Sequence, residues 1–452
     1  MLEQLQPHSV WKYFEQFCAI PHPSGFETQA QQYVVECAAK LGLTAITDTT
    51  GNVLIRKKAT DKRTGRKTVV LQSHLDMVPQ KNAATEHDFK KDPIRPMIDG
   101  EWVTAQGTTL GADNGIGVAV ALAVLESNSI QHGPIEALFT LDEERGMTGA
   151  FGLAEDFLAG RMLINLDTEN EDEICIGCAG GTDVAAELPV ETEPALSNGK
   201  AFTIAIRGLR GGHSGMEIHL NRANALKCMA QVLSAAFDEH ALQLASLSGG
   251  SARNAIPREA FAEVVIPEGT EEQFSGTVAK VKKDLIATLT PTDNEFSLSV
   301  TETTLPRAVI TSDALQRLLT VLNDCPYGVQ KMSDTVPDMV ETSNNLSAVA
   351  TRPESIRIDC MLRSSSGPGL KALRGRIDHL FKQQGAATTF GSTYPGWQPD
   401  PDSSLLAAMK TAHRLTYNKD PEIVAVHAGL ECGIIGSKFP GMEMISCGPT
   451  IH

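Results

Sequence analysis

Acidic side chains and one imidazole follow apolar runs at several points between residues 74 and 167. The residues in question are His74, Asp76, Asp113, Glu143, Glu144 and Asp167. Carboxylate oxygens and imidazole nitrogens are ligands for divalent cations, and hydrolytic sites often hold two such ions about 3.5–4 Å apart. The pattern therefore predicts a two-metal centre, provided that the fold brings these residues together.

The apolar runs predict the elements that would position these residues. We interpret them as four strands, at residues 68–73, 109–112, 135–141 and 162–166. In open α/β sheets, ligands bind outside the carboxyl ends of the strands. Four strands that end in this way would deliver their polar residues to one edge of a sheet.

Each cluster also has an ordinary explanation when it is considered alone. His74 and Asp76 would project to the same side of a strand, but two such residues are usually ordinary polar residues on the surface or in the core. Asp113 would serve as a helix N-cap and Asp167 as a turn residue. The glutamates at 143–144 would form a solvated acidic turn, unless one binds a cation while the other acts as a general base. One shared site explains all four clusters without four coincidences.

Size and charge restrict the class of protein. A chain of 452 residues is too long for one core, so we expect two or three domains. The net charge of −16 argues against a nucleic-acid partner. Residues 1–6 lack the basic segment of a secretory signal, and no apolar run is long enough to span a membrane. The nine cysteines are scattered, which favours the cytoplasm over a disulfide framework.

Hydrophobic periodicity predicts a catalytic layer that is interrupted by a second domain. Helices at 10–19, 27–41 and 116–125 alternate with the buried strands and indicate an α/β layer. A polar linker at 187–200 leads to alternating strands at 201–206, 260–266, 296–300 and 356–362, with amphipathic helices between them. This predicts an α+β insert with ferredoxin-like halves at 187–386, between catalytic segments 1–186 and 387–452.

Two features of the insert could bind a ligand. The stretch 208–215 is rich in glycine around His213, which suits a binding loop, although a flexible loop with an incidental histidine is the alternative. Arg363 follows a predicted strand and could clamp a carboxylate through two hydrogen bonds, or be an ordinary surface arginine.

Several motifs in order resemble one family. They are Ser73-His74-Leu75-Asp76, Gly111-Ala112-Asp113-Asn114-Gly115, Asp142-Glu143-Glu144, Asn165-Leu166-Asp167, Gly211-Gly212-His213-Ser214-Gly215 and Arg253-Asn254-Ala255-Ile256-Pro257. From Val10 to its last residue the chain resembles the di-zinc dipeptidases and amidohydrolases related to carboxypeptidase G and aminoacylase. The resemblance implies a zinc-peptidase domain with a central mixed sheet flanked by helices, and an inserted lid or dimerisation domain.

The resemblance also implies a role for each residue. His74 and Asp167 would hold one metal ion, Glu144 the other, and Asp113 would bridge them. Asp76 would orient His74, and Glu143 would be the general base. The substrate-binding residues would be His213, acting across a dimer, with Asn254, Arg363 and Glu431.

The implied activity is hydrolysis of dipeptides of the Xaa-His kind, including β-alanyl-histidine, by water that two divalent ions activate. Zinc is the expected metal, with cobalt or manganese as alternatives, and a cytoplasmic homodimer is the expected form. Two other functions stay open: an N-acyl amino acid amidohydrolase with the same site, and a binding or assembly protein. The latter is considered because relatives continue past the Gly448–Ile451 stem to a further histidine ligand, so we expect a second metal site that is incomplete at His452.

Overall fold

The computed structural model describes residues 2–452, apart from the side chain of Glu3. The chain divides into two compact units. The first comprises Met1–Cys178, Trp397–Ala425 and Leu430–His452, and the second comprises Ala179–Gly396 and Val426–Gly429. The predicted bounds at 186/187 and 386/387 differ from these, because each lies in or beside a strand of the second unit's own sheet.

An eight-stranded mixed sheet forms the centre of the first unit. Its strands are β1 (Thr44–Thr47), β2 (Val53–Lys57), β3 (Val69–His74), β6 (Ile135–Thr140), β7 (Met162–Asn165), β8 (Glu173–Cys178), β22 (Glu422–Val426) and β23 (Glu443–Ser446); a separate hairpin contains β4 (Pro96–Asp99) and β5 (Trp102–Ala105). The order across the sheet is β1-β2-β6-β3-β7-β23-β8-β22. Strands β6, β3, β7 and β23 are neighbours and run parallel, so their carboxyl ends share one edge.

Helices pack on this sheet. They are α1 (His8–Cys18), α2 (Thr28–Lys40), α3 (Ala112–Glu126), α4 (Glu143–Gly146), α5 (Thr148–Gly152), α10 (Ser404–Tyr417) and α11 (Glu431–Lys438), and Leu2–Gln4 forms a 3-10 turn. Helix α3 is apolar on every side, as expected for a helix buried in the interior. It joins Phe14, Phe17 and Phe139 in one hydrophobic core.

One of the four predicted strands is wrong. Residues 109–112 do not form a strand, because Gly107 and Gly111 adopt positive φ angles of 75° and 70° and turn the chain before a ladder can develop. The segment instead leads directly into α3. Asp113 and Asn114 keep non-helical angles within that helix, and the peptide bond between them is cis.

The second unit contains a nine-stranded antiparallel sheet. Its strands are β9 (Gly180–Pro189), β11 (Gly199–Arg207), β13 (Gln243–Gly249), β15 (Ala260–Pro267), β16 (Ser297–Thr303), β18 (Gly328–Met332), β19 (Val340–Thr351), β20 (Ser355–Ser364) and β21 (Ala387–Tyr394). The order across the sheet is β16-β11-β15-β13-β19-β20-β9-β21, with β18 paired to β19. Two short pairs are β10 (Thr192–Pro194) with β17 (Ala308–Ile310), and β12 (Gly212–His213) with β14 (Ala255–Ile256).

Helices of this unit lie on the buried face of the sheet. They are α6 (Ala225–His240), α7 (Glu271–Thr288), α8 (Ser312–Asp324) and α9 (Gly367–Gln383), with 3-10 turns at Ile218–Leu220 and Pro291–Asp293. The stretch 187–200, predicted as a linker, is partly strand, because β9, β10 and β11 occupy most of it. Its polar composition reflects the exposure of β10 rather than a lack of structure. Within residues 2–452 no helix has the length and apolar character needed to cross a bilayer.

Candidate metal centre and ligand-binding residues

Three neighbouring parallel strands bring the predicted ligands to one edge. Strand β3 ends at His74, β6 is followed by the 143–144 glutamates, and β7 is followed by Asp167. Asp113 reaches the same place from the first turn of α3. The polar residues that follow the apolar runs therefore converge. Asp113 does so from the start of a helix and not from the end of a strand.

The imidazole of His74 lies at the centre of the cluster. Its Nε2 is 2.9 Å from Oδ1 of Asp113 and 3.4 Å from Oδ1 of Asp167. Its Nδ1 lies 3.0 Å from the carbonyl oxygen of Asp76 and so would carry the proton. Burial alone would lower the pKa of His74, but the carboxylates of Asp167, Asp113 and Asp76 raise it well above its ordinary value.

Asp76 connects several parts of the site. Its Oδ1 lies 3.3 Å from Nδ1 of His74 and accepts the backbone N–H of Glu143 at 3.0 Å. Its Oδ2 accepts the backbone N–H of Glu144 at 3.2 Å and the hydroxyl of Ser24 at 2.8 Å. Burial would raise the pKa of Asp76, but its bonds with His74 outweigh this and lower the pKa to about 2. The side chain is thus held as a carboxylate that joins the ends of β3 and β6.

The surroundings of Glu143 and Glu144 disfavour the negative charge of both side chains. Burial, together with Asp167, Glu431 and Glu144, raises the pKa of Glu143 to about 9. Burial and Asp113 raise the pKa of Glu144 to about 7. Carboxylates crowded in this way repel one another, and a bound cation would relieve the repulsion.

The donor atoms fit a pair of divalent ions. One group of donor atoms, from His74, Asp113 and Asp167, lies within 4.8 Å of one another, and so does a second group from His74, Glu143 and Glu144. Oxygen and imidazole donors of this kind suit zinc, cobalt or manganese. A cavity of about 1080 Å³ opens on Asp113 and Glu144 and leaves room for a small substrate.

The start of α3 fixes two of these donors. Gly111 takes a left-handed conformation, and a Cβ there would lie 2.9 Å from the sulfur of Met77, so the tight turn requires glycine. Asn114 donates from Nδ2 to the carbonyl of Leu166 at 2.8 Å and also to Oδ1 of Asp167. Asn114 therefore holds the carboxylate of Asp167 in place.

A buried hydrogen-bond chain lies behind the cluster. Glu431 is fully buried, and its Oε2 accepts from Nε2 of Gln72 and from the hydroxyl of Thr140, both at 2.6 Å. Gln72 accepts in turn from Asn165 at 2.6 Å, which accepts from Ser446 at 2.5 Å. Burial raises the pKa of Glu431 to about 7, and its Oε1 has no partner among the described residues. The substrate contact predicted for Glu431 stays a prediction, because the residue is fully buried.

Four further residues of the site were not predicted from the sequence: Ser24, Gln72, Asn114 and Asn165. A signal existed for the last three, because each lies one or two residues from a predicted ligand. Gln72 and Asn165 are polar residues inside otherwise apolar strands, which usually means that a buried partner exists. Ser24 follows a proline-rich turn, and nothing in the sequence links it to Asp76.

In the second unit, three predicted ligand-binding residues lie close to Gly215 or to the adjacent Ser214. A Cβ at Gly215 would lie 3.0 Å from Cε1 of His213 and 3.2 Å from Cζ of Arg363. The carbonyl of Asn254 accepts the backbone N–H of Ser214 at 2.8 Å, and the Asn254 side chain is exposed. The fold therefore assembles His213, Asn254 and Arg363 from three distant segments of the chain.

Arg363 is a buried cation without a carboxylate. It is 5% exposed on β20, donates from Nη1 to the hydroxyl of Tyr394 at 3.0 Å, and has no ion-pair partner within residues 2–452. Its charge, after burial, lowers the pKa of His213, and with burial it lowers the pKa of the nearby His427 to about 3. Among the described residues, Arg363 is therefore a buried guanidinium with a hydroxyl but no carboxylate beside it.

Comparison with known proteins agrees with this geometry. Residues 70–452 match the family model described as peptidase family M20/M25/M40. The chain is 43% identical over 450 residues to the cytosol non-specific dipeptidase of Escherichia coli (strain K12), covering 100% of this chain and 93% of that protein.

Solved structures show the same fold. The aminoacylhistidine dipeptidase of Vibrio alginolyticus superposes with a TM-score of 0.96 at 43% identity, covering 100% of this chain and 92% of that one. The aminopeptidase PepT of Bacillus cereus gives a TM-score of 0.55 at 16% identity over 97% and 89% of the two chains, and so supports the fold alone. These findings confirm the predicted fold class, the resemblance and the class of enzyme, a metallopeptidase. The chain belongs to peptidase family M20/M25/M40.

Proposed function

We propose that this protein is a dipeptidase that hydrolyses Xaa-His dipeptides with two divalent metal ions, zinc in the first instance. The observation that carries the proposal is the convergence of His74, Asp113, Glu144 and Asp167 beside Glu143 at one sheet edge. Dipeptides as substrates are inferred from the names of the two relatives that are 43% identical over the whole chain, and the Xaa-His preference from the name of the Vibrio alginolyticus protein, aminoacylhistidine dipeptidase.

Four side chains would hold the ions. As the family resemblance implies, His74 and Asp167 would bind one, Glu144 the other, and Asp113 would bridge them. When bound, the two cations would polarise the peptide carbonyl and make a water molecule more acidic. Asp76 would keep Nδ1 of His74 protonated and Nε2 free as a ligand.

Glu143 would move the proton. As a carboxylate it would accept a proton from the attacking water and later pass that proton to the leaving amine. Asp76 fixes the backbone of Glu143 through a 3.0 Å bond and so sets the direction of this side chain.

The second unit would contribute the contacts that recognise the substrate. Arg363 would bind the free carboxylate of a dipeptide, since it is buried and lacks an acidic partner in the described part of the chain. His213 would donate a hydrogen bond to the scissile carbonyl oxygen, and Asn254 would assist. In the first unit, the free oxygen of Glu431 would accept from the substrate's amino end.

The form and location of the protein are also proposals. We infer a homodimer that forms through the second unit, because Met216 and Leu220 near His213 in sequence are 51% and 42% exposed. We infer a cytoplasmic protein, because the described cysteines are all free thiols. Light scattering and fractionation of the native cells test these two points.

Substitution of Glu143 tests the mechanism. We expect Glu143→Ala to lower kcat for Xaa-His dipeptides by about 10²–10⁴-fold, because general acid–base catalysis is worth that much, while the metal content stays at two ions per chain. The matched control is Glu155→Ala, which removes an exposed glutamate of the same unit. Unchanged turnover in Glu143→Ala would contradict the mechanism.

A substrate panel and metal analysis test the class of activity. Faster turnover of N-acyl amino acids than of dipeptides would favour an amidohydrolase with the same site. One ion or none per chain, together with no turnover of either class, would favour a binding or assembly protein.

A further inference from the structure

The ring of His213 is held in one protonation pattern by its own loop. Its Nδ1 accepts the backbone N–H of Gly215 at 3.2 Å and that of Met216 at 3.0 Å. A ring nitrogen that accepts hydrogen bonds carries no proton, so a neutral His213 must carry its proton on Nε2. Within residues 2–452 no acceptor is bonded to that Nε2–H, which leaves it available to an outside group.

A glutamate and an arginine hold the backbone around this ring. Oε2 of Glu217 accepts the backbone N–H of His213 at 2.8 Å, and Oε1 pairs with Nη2 of Arg222 at 2.8 Å. Arg222 also donates from Nη1 to the carbonyl of Gly211 at 2.5 Å. The ion pair therefore fastens the chain on both sides of Gly212.

Gly212 is shaped to this ion pair. Its φ angle is 146°, and a Cβ at this position would collide with both the guanidinium of Arg222 and the carboxylate of Glu217. The two charged groups thus fill the space that any other residue would use. This contact requires glycine at position 212 and ties the backbone of β12 to the ion pair.

The ends of the loop are fastened separately. Asp293 is 2% exposed; its Oδ1 accepts the backbone N–H of Arg210 at 2.8 Å and its Oδ2 that of Ala223 at 3.1 Å. One buried carboxylate therefore closes residues 210–223 into a loop. Removal of the Glu217–Arg222 pair would loosen the interior of this loop while its ends stay in place.

We propose that Glu217 and Arg222 are positioning residues that hold His213 as a neutral donor with its proton on Nε2. The proposal rests on the proposed function only for the identity of the acceptor, the carbonyl oxygen of a peptide substrate. Burial and the charge of Arg363 lower the pKa of His213, which agrees with a neutral ring. A purely structural role for the ion pair would stabilise the loop without fixing the proton.

Nuclear magnetic resonance can test the proton position without any assay of activity. We would label the full-length protein with ¹⁵N-histidine, record long-range ¹H–¹⁵N spectra at neutral pH, and assign His213 from the signals missing in His213→Gln. The expected pattern is a single tautomer with the proton on Nε2. A proton on Nδ1, or a fully protonated ring, in the native protein would overturn the proposal whatever the variants do.

Two variants of Glu217 separate positioning from mere stability. Glu217→Gln keeps an oxygen that can accept the N–H of His213, whereas Glu217→Ala does not. For Glu217→Ala we expect a mixture of tautomers and a fall in kcat of about tenfold with KM changed less than about threefold, a smaller loss than the roughly 10²-fold typical of a missing oxyanion donor. For Glu217→Gln, which keeps the acceptor for His213 but loses the charge that pairs with Arg222, we expect the native tautomer and a smaller fall in kcat than for Glu217→Ala.

The matched control is Glu302→Ala, which removes an exposed glutamate that pairs with Lys200 at 3.6 Å on an edge strand of the same unit. It should change neither the tautomer nor kcat. Equal losses in the Ala and Gln variants, or a native tautomer and native kcat in a folded Glu217→Ala, would overturn the proposal. If the native protein cleaves no peptide, the proposed function fails while the tautomer measurement still decides this inference.

Discussion

The hydroxyl of Ser24 donates a 2.8 Å hydrogen bond to Oδ2 of Asp76, across 52 positions of sequence. The backbone N–H of Ser24 also donates to the carbonyl of Met77 at 3.3 Å, which ties this turn to the segment that follows β3. A residue from the loop between α1 and α2 therefore sets the orientation of the carboxylate that holds His74.

We expect Ser24→Ala to lower kcat about tenfold, because the groups that orient a metal-binding histidine are typically worth 10–100-fold. Affinity for the ion bound to His74, measured by competition with a chelator, should fall by a similar factor. The matched control Ser129→Ala, at an exposed serine of the same unit, should change neither quantity. A native metal affinity in a folded Ser24→Ala would show that Asp76 needs no support from this hydroxyl.

We expect Gln72→Leu to lower the free energy of unfolding by roughly 1–3 kcal/mol, because it leaves a buried oxygen of Glu431 and the amide of Asn165 with fewer partners. Chemical denaturation measures this loss. In Gln72→Leu combined with Glu431→Gln, the losses should not add, since both residues belong to one hydrogen-bond chain. Strict additivity would mean that the two side chains act independently.

Glu443 should make stability depend on pH. Its Oε2 accepts the Ser404 hydroxyl at 2.7 Å and the N–H of Leu405 at 3.0 Å at the start of α10. Hydrogen bonding from Ser404 is the largest cause that lowers the pKa of Glu443, from 4.5 to about 2. A carboxyl whose pKa is depressed on folding stabilises the protein above its unfolded pKa, and this contribution disappears as the pH falls through the folded value.

Glu443→Gln should therefore lower the free energy of unfolding by about 1–2 kcal/mol at pH 7, and the difference from the native protein should shrink below about pH 4.5. Denaturant titrations at several pH values give the measurement. Glu422→Gln, at an exposed position of the same unit, serves as the control. A difference that stays constant down to pH 3 would mean that the cap does not depend on charge.

Local patterns predicted much of the fold, and they predicted that the acidic and imidazole clusters lie at one edge of a sheet. Most predicted helices and strands lie close to the observed ones, because their burial follows periods of 3.6 or 2 residues. The strand predicted at 109–112 is wrong, because the positive φ angles of Gly107 and Gly111, and not the apolar content of the run, determine its backbone.

Relationships between distant segments could not be predicted in this way. Ser24 and Asp76 meet only because two loops pack together, and periodicity carries no information about such contacts. Glu217 was visible in the sequence, four residues after His213, but its role depends on the turn that brings its carboxylate back to the histidine's backbone. The limits of the two units were also hidden, because β9 and β21 pair with each other across some two hundred intervening residues.

The side-by-side arrangement of β6, β3 and β7 has a consequence for how this chain can vary. In each strand the metal-binding residues lie a fixed number of positions from the last paired residue. One residue inserted or deleted there would therefore turn a donor side chain away from the other donors. Length changes at the opposite edge carry no such penalty. Homologous sequences should therefore have insertions and deletions at the opposite edge of the sheet, and almost none at the edge that carries the donor residues.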